Sequence, residues 1–153
     1  MLCRKLVSVL QKKILGLLFL FAGLTLVFSL TFQAPVDSKT LSESVLRLLS
    51  NIGIKTSYVS LRSNAHIIEY FLLGIAVFIF CYCFDLKTCV GILAGVAVGF
   101  FDECLKVFLP GREFSWGDFT RDVIGILLGL LLTKGFLRLK AMFFKCDTRE
   151  VRK

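Results

Sequence analysis

Charge is scarce in this sequence, and it is absent from the longest apolar segment. Only 20% of the 153 residues are charged, whereas 56% are apolar. Soluble domains usually contain about 45–50% apolar residues. Residues 14–32 contain no charged side chain, and about 20 such residues cross the ~30 Å hydrocarbon core of a membrane as a helix. The composition therefore excludes an ordinary soluble domain and indicates an integral membrane protein.

A signal-peptide cleavage site is also lacking after this segment. The one candidate, at residues 32–34, places the bulky Phe32 where a small side chain is needed, so we expect an uncleaved anchor. Three further apolar segments follow. The pattern predicts an all-α fold, a four-helix transmembrane bundle over residues 14–137, between a basic leader (1–13) and a basic tail (138–153). The predicted spans are about 14–32, 65–84, 88–109 and 119–137.

The basic side chains predict how this bundle is oriented. Cytoplasmic flanks of membrane helices hold an excess of Lys and Arg. With both termini in the cytoplasm, twelve Lys and Arg lie inside and five lie outside. We therefore expect a multi-pass protein of the cell membrane with cytoplasmic termini. The net charge of +8 belongs to these flanks, where it attracts anionic lipids, and we expect no nucleic-acid partner.

The first outer loop contains a short amphipathic pattern. Apolar residues recur at helical spacing among polar ones, at Leu41, Val45, Leu48 and Leu49. The pattern predicts a short helix that lies on the outer membrane surface or covers the bundle.

Small residues predict where the membrane helices touch. Glycines recur every fourth residue in the third and fourth spans, which allows close approach of backbones, and we expect these two helices to pack along the two rows. The glycines are Gly91, Gly95, Gly99, Gly125 and Gly129.

Three cysteines lie near the inner end of the second and third spans, at Cys81, Cys83 and Cys89. We expect reduced thiols that fill small spaces, and a thiolate metal site is the alternative.

Ionisable side chains collect at one depth, within roughly 10 Å of the outer boundary. Side chains at i, i+3 and i+4 share a helix face, and such groups within a membrane normally face the bundle or a wet cavity. The sequence therefore predicts an outward-open polar pocket. Its residues are His66, Glu69, Tyr70, Asp102, Glu103, Lys106, Arg112, Asp118, Arg121 and Asp122.

Two plainer explanations of these groups remain open. Lys106 with Asp102, and Arg121 with Asp118, are spaced to pair within their own helices. His66, the single histidine, also suits a capping role at the start of its helix. Acids outnumber bases at this depth, however, so some carboxylates are left for another partner.

The segments HIIEYFLLG and DECLKVFLPGREFSWGDFTRDVIGILLG resemble the VanZ-like membrane proteins over about residues 62–132. The resemblance marks several positions of the family pattern, and two positions depart from it. Lys106 stands where the family tends to have Gln, and Asp122 where it tends to have Asn. These opposite changes suggest an interhelical pair between the two residues. The marked positions are His66, Tyr70, Glu103, Pro110, Gly111, Arg112, Asp118 and Gly125.

The resemblance implies a function at the outer face of a bacterial cell envelope. The founding member of the family is associated with low-level resistance to the glycopeptide antibiotic teicoplanin. We expect the pocket to bind or modulate an envelope lipid or a lipid-linked cell-wall precursor, with Glu103, Arg112 and Asp118 as its centre and Arg112 on an anionic head group.

Two other functions stay open. One is an enzyme that uses His66 and a carboxylate in acid–base chemistry on a lipid or lipid-linked substrate. The other is a structural subunit of an envelope complex. No nucleophile or metal motif is complete, so we expect no cofactor, although the surplus acids allow a divalent cation.

Overall fold

The computed structural model describes residues 2–32, 43–45, 47–48, 50–51 and 57–150, and the fold is all-α. The long helices are α1 (Leu2–Thr31), α2 (Tyr58–Cys83), α3 (Thr88–Lys106) and α4 (Trp116–Glu150). The third predicted span continued to residue 109, but α3 ends at Lys106, where the chain turns toward Pro110 and Gly111. In the loop between α1 and α2, which was predicted to be outside, residues 43–45, 47–48 and 50–51 are helical, whereas Leu41 and Leu49 lie outside the described residues.

Three of the described helices are long and apolar enough to cross a membrane. Their apolar segments are Val7–Thr31, Asn64–Cys83 and Thr88–Lys106. Many large apolar side chains point outward from them, as Phe21 (71% exposed) and Leu93 (71%) do. In α4, only residues 123–133 separate Asp122 from Lys134. The uncharged part of α4 is therefore short, and a fourth span stays a prediction.

Neighbouring helices alternate in direction. At one end of the molecule the ammonium of Lys12, on α1, lies 3.7 Å from Asp85, in the turn between α2 and α3. At the opposite end Thr31, the last residue of α1, contacts Asp102 near the end of α3. The end of α1, the end of α3 and the loop before α4 therefore meet at one end, which we call the polar end.

The core lies mainly between α1, α2 and α4. Tyr70, Leu73 and Ile126 are fully buried, and Val27 of α1 joins them. α4 is thus an inner helix although it is the least apolar of the four. Burial of these side chains stabilises the packing of α4 even though its own sequence is not continuously apolar.

Glycines bring α2 and α4 into close contact. A Cβ atom placed at Gly129 would lie 2.2 Å from the carbonyl oxygen of Phe71, and one at Gly125 would lie 2.6 Å from that of Ile67. Gly74 faces α4 in the same way, with the carbonyl oxygen of Ile126 at 2.5 Å. The two backbones therefore touch where side chains are absent.

The glycine row of α3 behaves as expected only in part. Gly95 and Gly99 face Ile126 and Asp122 of α4, and Gly91 lies against Cys81 and Val77 of α2. The prediction that α3 and α4 pack along both rows is wrong for Gly125 and Gly129, because these two residues face α2.

The structure has free thiols at Cys81, Cys83, Cys89 and Cys104. Cys81 and Cys83 are buried, and they lie against Gly91 and Gly16 respectively. Cys89 is exposed. The contacts of Cys81 and Cys83 with glycines fit a packing role in small spaces.

Candidate functional site

The polar end contains a cluster of buried ionisable side chains. Asp122 and Glu103 are 0% exposed, Asp102 1%, and Lys106 4%. Glu69 is also buried, and Tyr70 is fully enclosed beside them. The structure encloses these groups between α2, α3 and α4. An outward opening of the predicted pocket therefore stays a prediction.

Lys106 is the cation at the centre of this cluster. Its ammonium lies 3.1 Å from the Oδ2 atom of Asp102 and contacts the Oε1 atom of Glu103. Both acids belong to α3, one turn before Lys106, so the helix itself fixes this pairing. Asp102 is further bonded by the hydroxyl of Thr31, which donates to its Oδ1 atom. α1 and α3 are thereby joined by a buried hydrogen bond to a charged group.

Glu103 also positions the loop between α3 and α4. The backbone N–H of Ser115 donates to the Oε2 atom of Glu103 at 3.1 Å. The Ser115 hydroxyl accepts a hydrogen bond of 3.2 Å from the N–H of Asp118 and so caps α4. Arg112 donates from Nη1 to the carbonyl oxygen of Thr31 at 2.8 Å. These bonds tie the loop to both α1 and α3.

The sharp turn of this loop requires glycine. Gly111 has a φ of 72°, in the left-handed region that other residues rarely adopt. The turn follows Pro110 directly and reverses the chain from α3 toward Arg112. The Pro-Gly-Arg sequence thus has a local physical role, which is to place Arg112 over the end of α1.

His66, Tyr70 and Asp122 form the unsatisfied part of the cluster. The Nδ1 atom of His66 lies 3.5 Å from the Oδ1 atom of Asp122, beyond the usual hydrogen-bond range of about 2.7–3.2 Å. Neither oxygen of Asp122 nor the hydroxyl of Tyr70 makes a hydrogen bond of good geometry within the described part of the chain, although Asp102 lies close to Tyr70 and His66 lies close to Asp122. A buried polar atom without a partner costs about 1–3 kcal/mol. These atoms are therefore the ones that a polar ligand would satisfy.

Tyr70 and Asp122 face the same point on α3. A Cβ atom placed at Gly99 would lie 3.5 Å both from the Tyr70 ring edge and from the Cβ of Asp122. A glycine in the facing helix therefore leaves room for both side chains. His66 is the most accessible of the three, with 13% of its side chain exposed.

Asp102, Glu103 and Asp122 are the described residues that could hold a metal ion. Each offers one oxygen, and the three oxygens lie within 4.8 Å of one another. Carboxylate oxygens suit hard divalent cations. The Lys106 ammonium, however, already contacts two of these acids. A divalent cation would have to compete with a tethered positive charge there, so the carboxylate of Asp122 is the most available ligand.

The rim of the cluster is partly exposed and aromatic. Arg121 pairs with Asp118 on its own helix at 2.6 Å, with 38% and 22% of the two side chains exposed. Nearby in the sequence, Trp116 packs edge to face against Phe114 and Phe119, and it remains 69% exposed. Aromatic side chains of this kind are typical of the membrane–water interface.

The structure separates the predicted site residues into two groups. The first group is buried apart from His66, whose side chain is 13% exposed, and its other members are Glu69, Tyr70, Asp102, Glu103, Lys106 and Asp122. The second group lies nearer the surface and consists of Arg112, Asp118 and Arg121. The two pairings within a helix are confirmed.

The predicted ion pair between Lys106 and Asp122 is wrong. Lys106 bonds the acids of α3, and the basic group that lies beside Asp122 is His66 of α2. The fixed spacing on α3 gives Lys106 its partners before α4 is reached.

Sequence reasoning missed Thr31 and Ser115. Thr31 is 3% exposed and joins Asp102 to Arg112. Its signal in the sequence is a hydroxyl at the C-terminal end of the first span, at the depth of the other polar groups. Ser115 bonds Glu103 through its backbone N–H, which any residue other than proline offers, so side-chain chemistry could not reveal it.

The fold and the buried polar cluster define an all-helical membrane protein with ionisable groups inside its bundle. The sequence model of the VanZ/LLP1 family matches residues 14–139, so the chain belongs to the VanZ/LLP1 family, as the resemblance predicted. The matched range includes all ten predicted site residues. No curated protein and no solved structure matches the chain.

Proposed function

We propose that this protein binds the polar head of an envelope lipid or a lipid-linked cell-wall precursor at the polar end. The observation that carries the proposal is the set of unsatisfied buried atoms on His66, Tyr70 and Asp122. The carboxylate of Asp122 accepts hydrogen bonds, so it suits hydroxyl or ammonium groups of a head group. Arg121 at the rim suits a phosphate.

The proposed membrane arrangement is four spans with both termini in the cytoplasm. α4 supports it as an inner helix, because Ile126 and Leu130 are 0% and 1% exposed and Asp122 is enclosed. The excess of Lys and Arg at the opposite end supports an outer location of the polar end. Binding there, near the lipid-linked precursors on which glycopeptides act, is how the protein would lower susceptibility to teicoplanin.

The orientation can be tested by labelling introduced cysteines in a cysteine-free background. A membrane-impermeant thiol reagent should label Ser57→Cys and Glu113→Cys in intact cells, whereas Asp85→Cys should react only after permeabilisation. Labelling of Asp85→Cys in intact cells would reverse the orientation and remove the outer location of the site.

Tyr70→Phe is the sharpest test of the binding function. It removes the unpaired hydroxyl and keeps the ring that fills the core, so the folded protein should be as stable as the wild type or more stable. In a host where the wild type alters teicoplanin susceptibility, Tyr70→Phe and Asp122→Asn should lose this effect at matched membrane levels. Tyr82→Phe, at the opposite end and 56% exposed in the wild type, is the matched control.

If both site variants protect as well as the wild type, the cluster has a structural role and the binding proposal fails. Loss of protection by Tyr82→Phe as well would show that the assay responds to any tyrosine substitution, and would equally remove the support for this site.

One observation favours a second candidate, an enzyme. His66 lies beside Asp122, and a carboxylate next to an imidazole can orient it as a general base. Mass spectrometry of membrane lipids from cells with and without the protein distinguishes the two functions. A lipid species that appears or disappears with wild type but not with Asp122→Asn would support catalysis, and an unchanged lipid profile supports binding.

A further inference from the structure

A groove of about 480 Å³ lies at the end of the bundle opposite the polar end. Phe78, Tyr82 and Leu137 form its apolar wall, between α2 and α4. Volumes of about 300–1,000 Å³ are usual for sites that bind small molecules. The groove is separate from the cluster of carboxylates, and the proposed function does not use it.

The groove is also strongly basic. Lys134, Arg138 and Lys140 belong to its lining. Lys134 and Arg138 are one turn apart on α4 and share a face with Leu137. Among the described residues lining the groove there is no acid. An anionic group would therefore meet several cations beside an apolar surface.

The surroundings of the groove add to this positive charge. Lys12 of α1 stacks its ammonium over the ring of Tyr82, a residue of the groove lining, at 4.7 Å from the ring centre. Among the side chains that the structure describes, the acid that pairs with Lys12 is Asp85, with 88% of its side chain exposed, at 3.7 Å. A contact this exposed neutralises little of the positive charge.

We propose that this groove binds one anionic phospholipid, with its phosphate on Lys134 and Arg138 and the start of an acyl chain against Phe78 and Leu137. Lys and Arg near a membrane surface attract anionic lipids by about 1 kcal/mol each. A free phosphate would use the cations alone, whereas a phospholipid also covers the apolar wall. With the termini in the cytoplasm, as proposed above, the lipid comes from the inner leaflet.

Native mass spectrometry of the full-length protein in detergent tests this site. Phosphatidylglycerol and phosphatidylcholine with the same acyl chains would be added at equal concentration. We expect the first bound phosphatidylglycerol to be retained at least about tenfold better, because two cations near a surface contribute about 2 kcal/mol. Lys134→Gln/Arg138→Gln should lose this preference. Lys13→Gln/Lys87→Gln, which removes the same charge from the same end outside the groove lining, should keep it.

A second variant tests the apolar wall. Ala141→Phe fills the groove, in which Ala141 is a lining residue, and keeps every cation. It should weaken phosphatidylglycerol binding as strongly as the double charge variant, and glycerol 3-phosphate should not displace the bound lipid. Equal losses in the two double variants, unchanged binding by Ala141→Phe, or displacement by glycerol 3-phosphate would each overturn the proposal. Gel filtration of each variant confirms that the protein compared is folded.

Discussion

Replacing Gly129 with alanine should separate α2 from α4 and destabilise the bundle. The added methyl group would lie 2.2 Å from the carbonyl oxygen of Phe71, and it would also lie near the backbone of Ile75 and Gly74. Ordinary contacts begin at about 3.4 Å, so the two backbones must move apart by about 1 Å. The contacting atoms are main-chain atoms, which cannot rotate away as a side chain can.

Gly135→Ala is the matched control on the same helix. A Cβ atom at Gly135 would meet nothing within 4 Å. Alanine is favoured over glycine in a helix by about 0.8–1.0 kcal/mol, and this gain applies to both variants. The difference between them therefore isolates the packing cost. Overpacking costs about 1–3 kcal/mol, so Gly129→Ala should be less stable than Gly135→Ala by that amount.

Reversible unfolding in mixed detergent micelles measures this difference. A gap of about 1–3 kcal/mol corresponds to a roughly 5- to 150-fold change in the ratio of folded to unfolded protein. The Gly135→Ala protein should match or exceed the wild type in stability. Equal stability of the two variants would refute the close contact between α2 and α4, and with it the inner position of α4.

Two further predictions concern the polar cluster and use the same unfolding assay. Thr31→Val should destabilise the protein by about 1.5–3 kcal/mol, because it removes a hydrogen bond to the buried carboxylate of Asp102. The control Thr25→Val, on the exposed face of α1, should have little effect. Equal losses in the two variants would show that the bond contributes nothing. Lys106→Met should cost about 3–5 kcal/mol by leaving buried acids without a cation, and adding Asp102→Asn should recover part of this loss. Lys87→Met is the exposed control. If Lys106→Met/Asp102→Asn loses as much stability as the two single variants lose together, the pairing of Lys106 with Asp102 is contradicted.

The depth at which the polar groups meet could be predicted from the sequence. The helix rise and the alternation of spans are regular, and they brought His66, Asp102 and Asp122 to the same end. The choice of partners within the cluster could not be predicted in full. Lys106 had acids available on two helices, and the pairing on α3 prevails because the backbone holds Asp102 and Glu103 one turn away.

The arrangement of helices around the bundle was harder to predict than the helices themselves. A row of glycines shows that one helix face admits a close neighbour, but the row does not identify that neighbour. Gly125 and Gly129 face α2 because Gly74 completes the contact from the other side. Gly74 is isolated in its helix and belongs to no repeat, so the glycine pattern did not favour α2 over α3 as the neighbour.

The order of the contacts at the polar end has a consequence for synthesis and membrane insertion. Thr31 has the carbonyl oxygen of Val27 within 3.0 Å on its own helix, so its hydroxyl is satisfied before Asp102 is made. Asp102 and Glu103 are followed within one turn by Lys106, so α3 can enter the membrane with one of its two negative charges compensated. Asp122 is translated after His66, its neighbour on α2. The acids of α3 thus find a cation on their own helix, and Asp122 is made when its neighbour His66 is already present, which shortens the time that an uncompensated charge faces lipid during assembly.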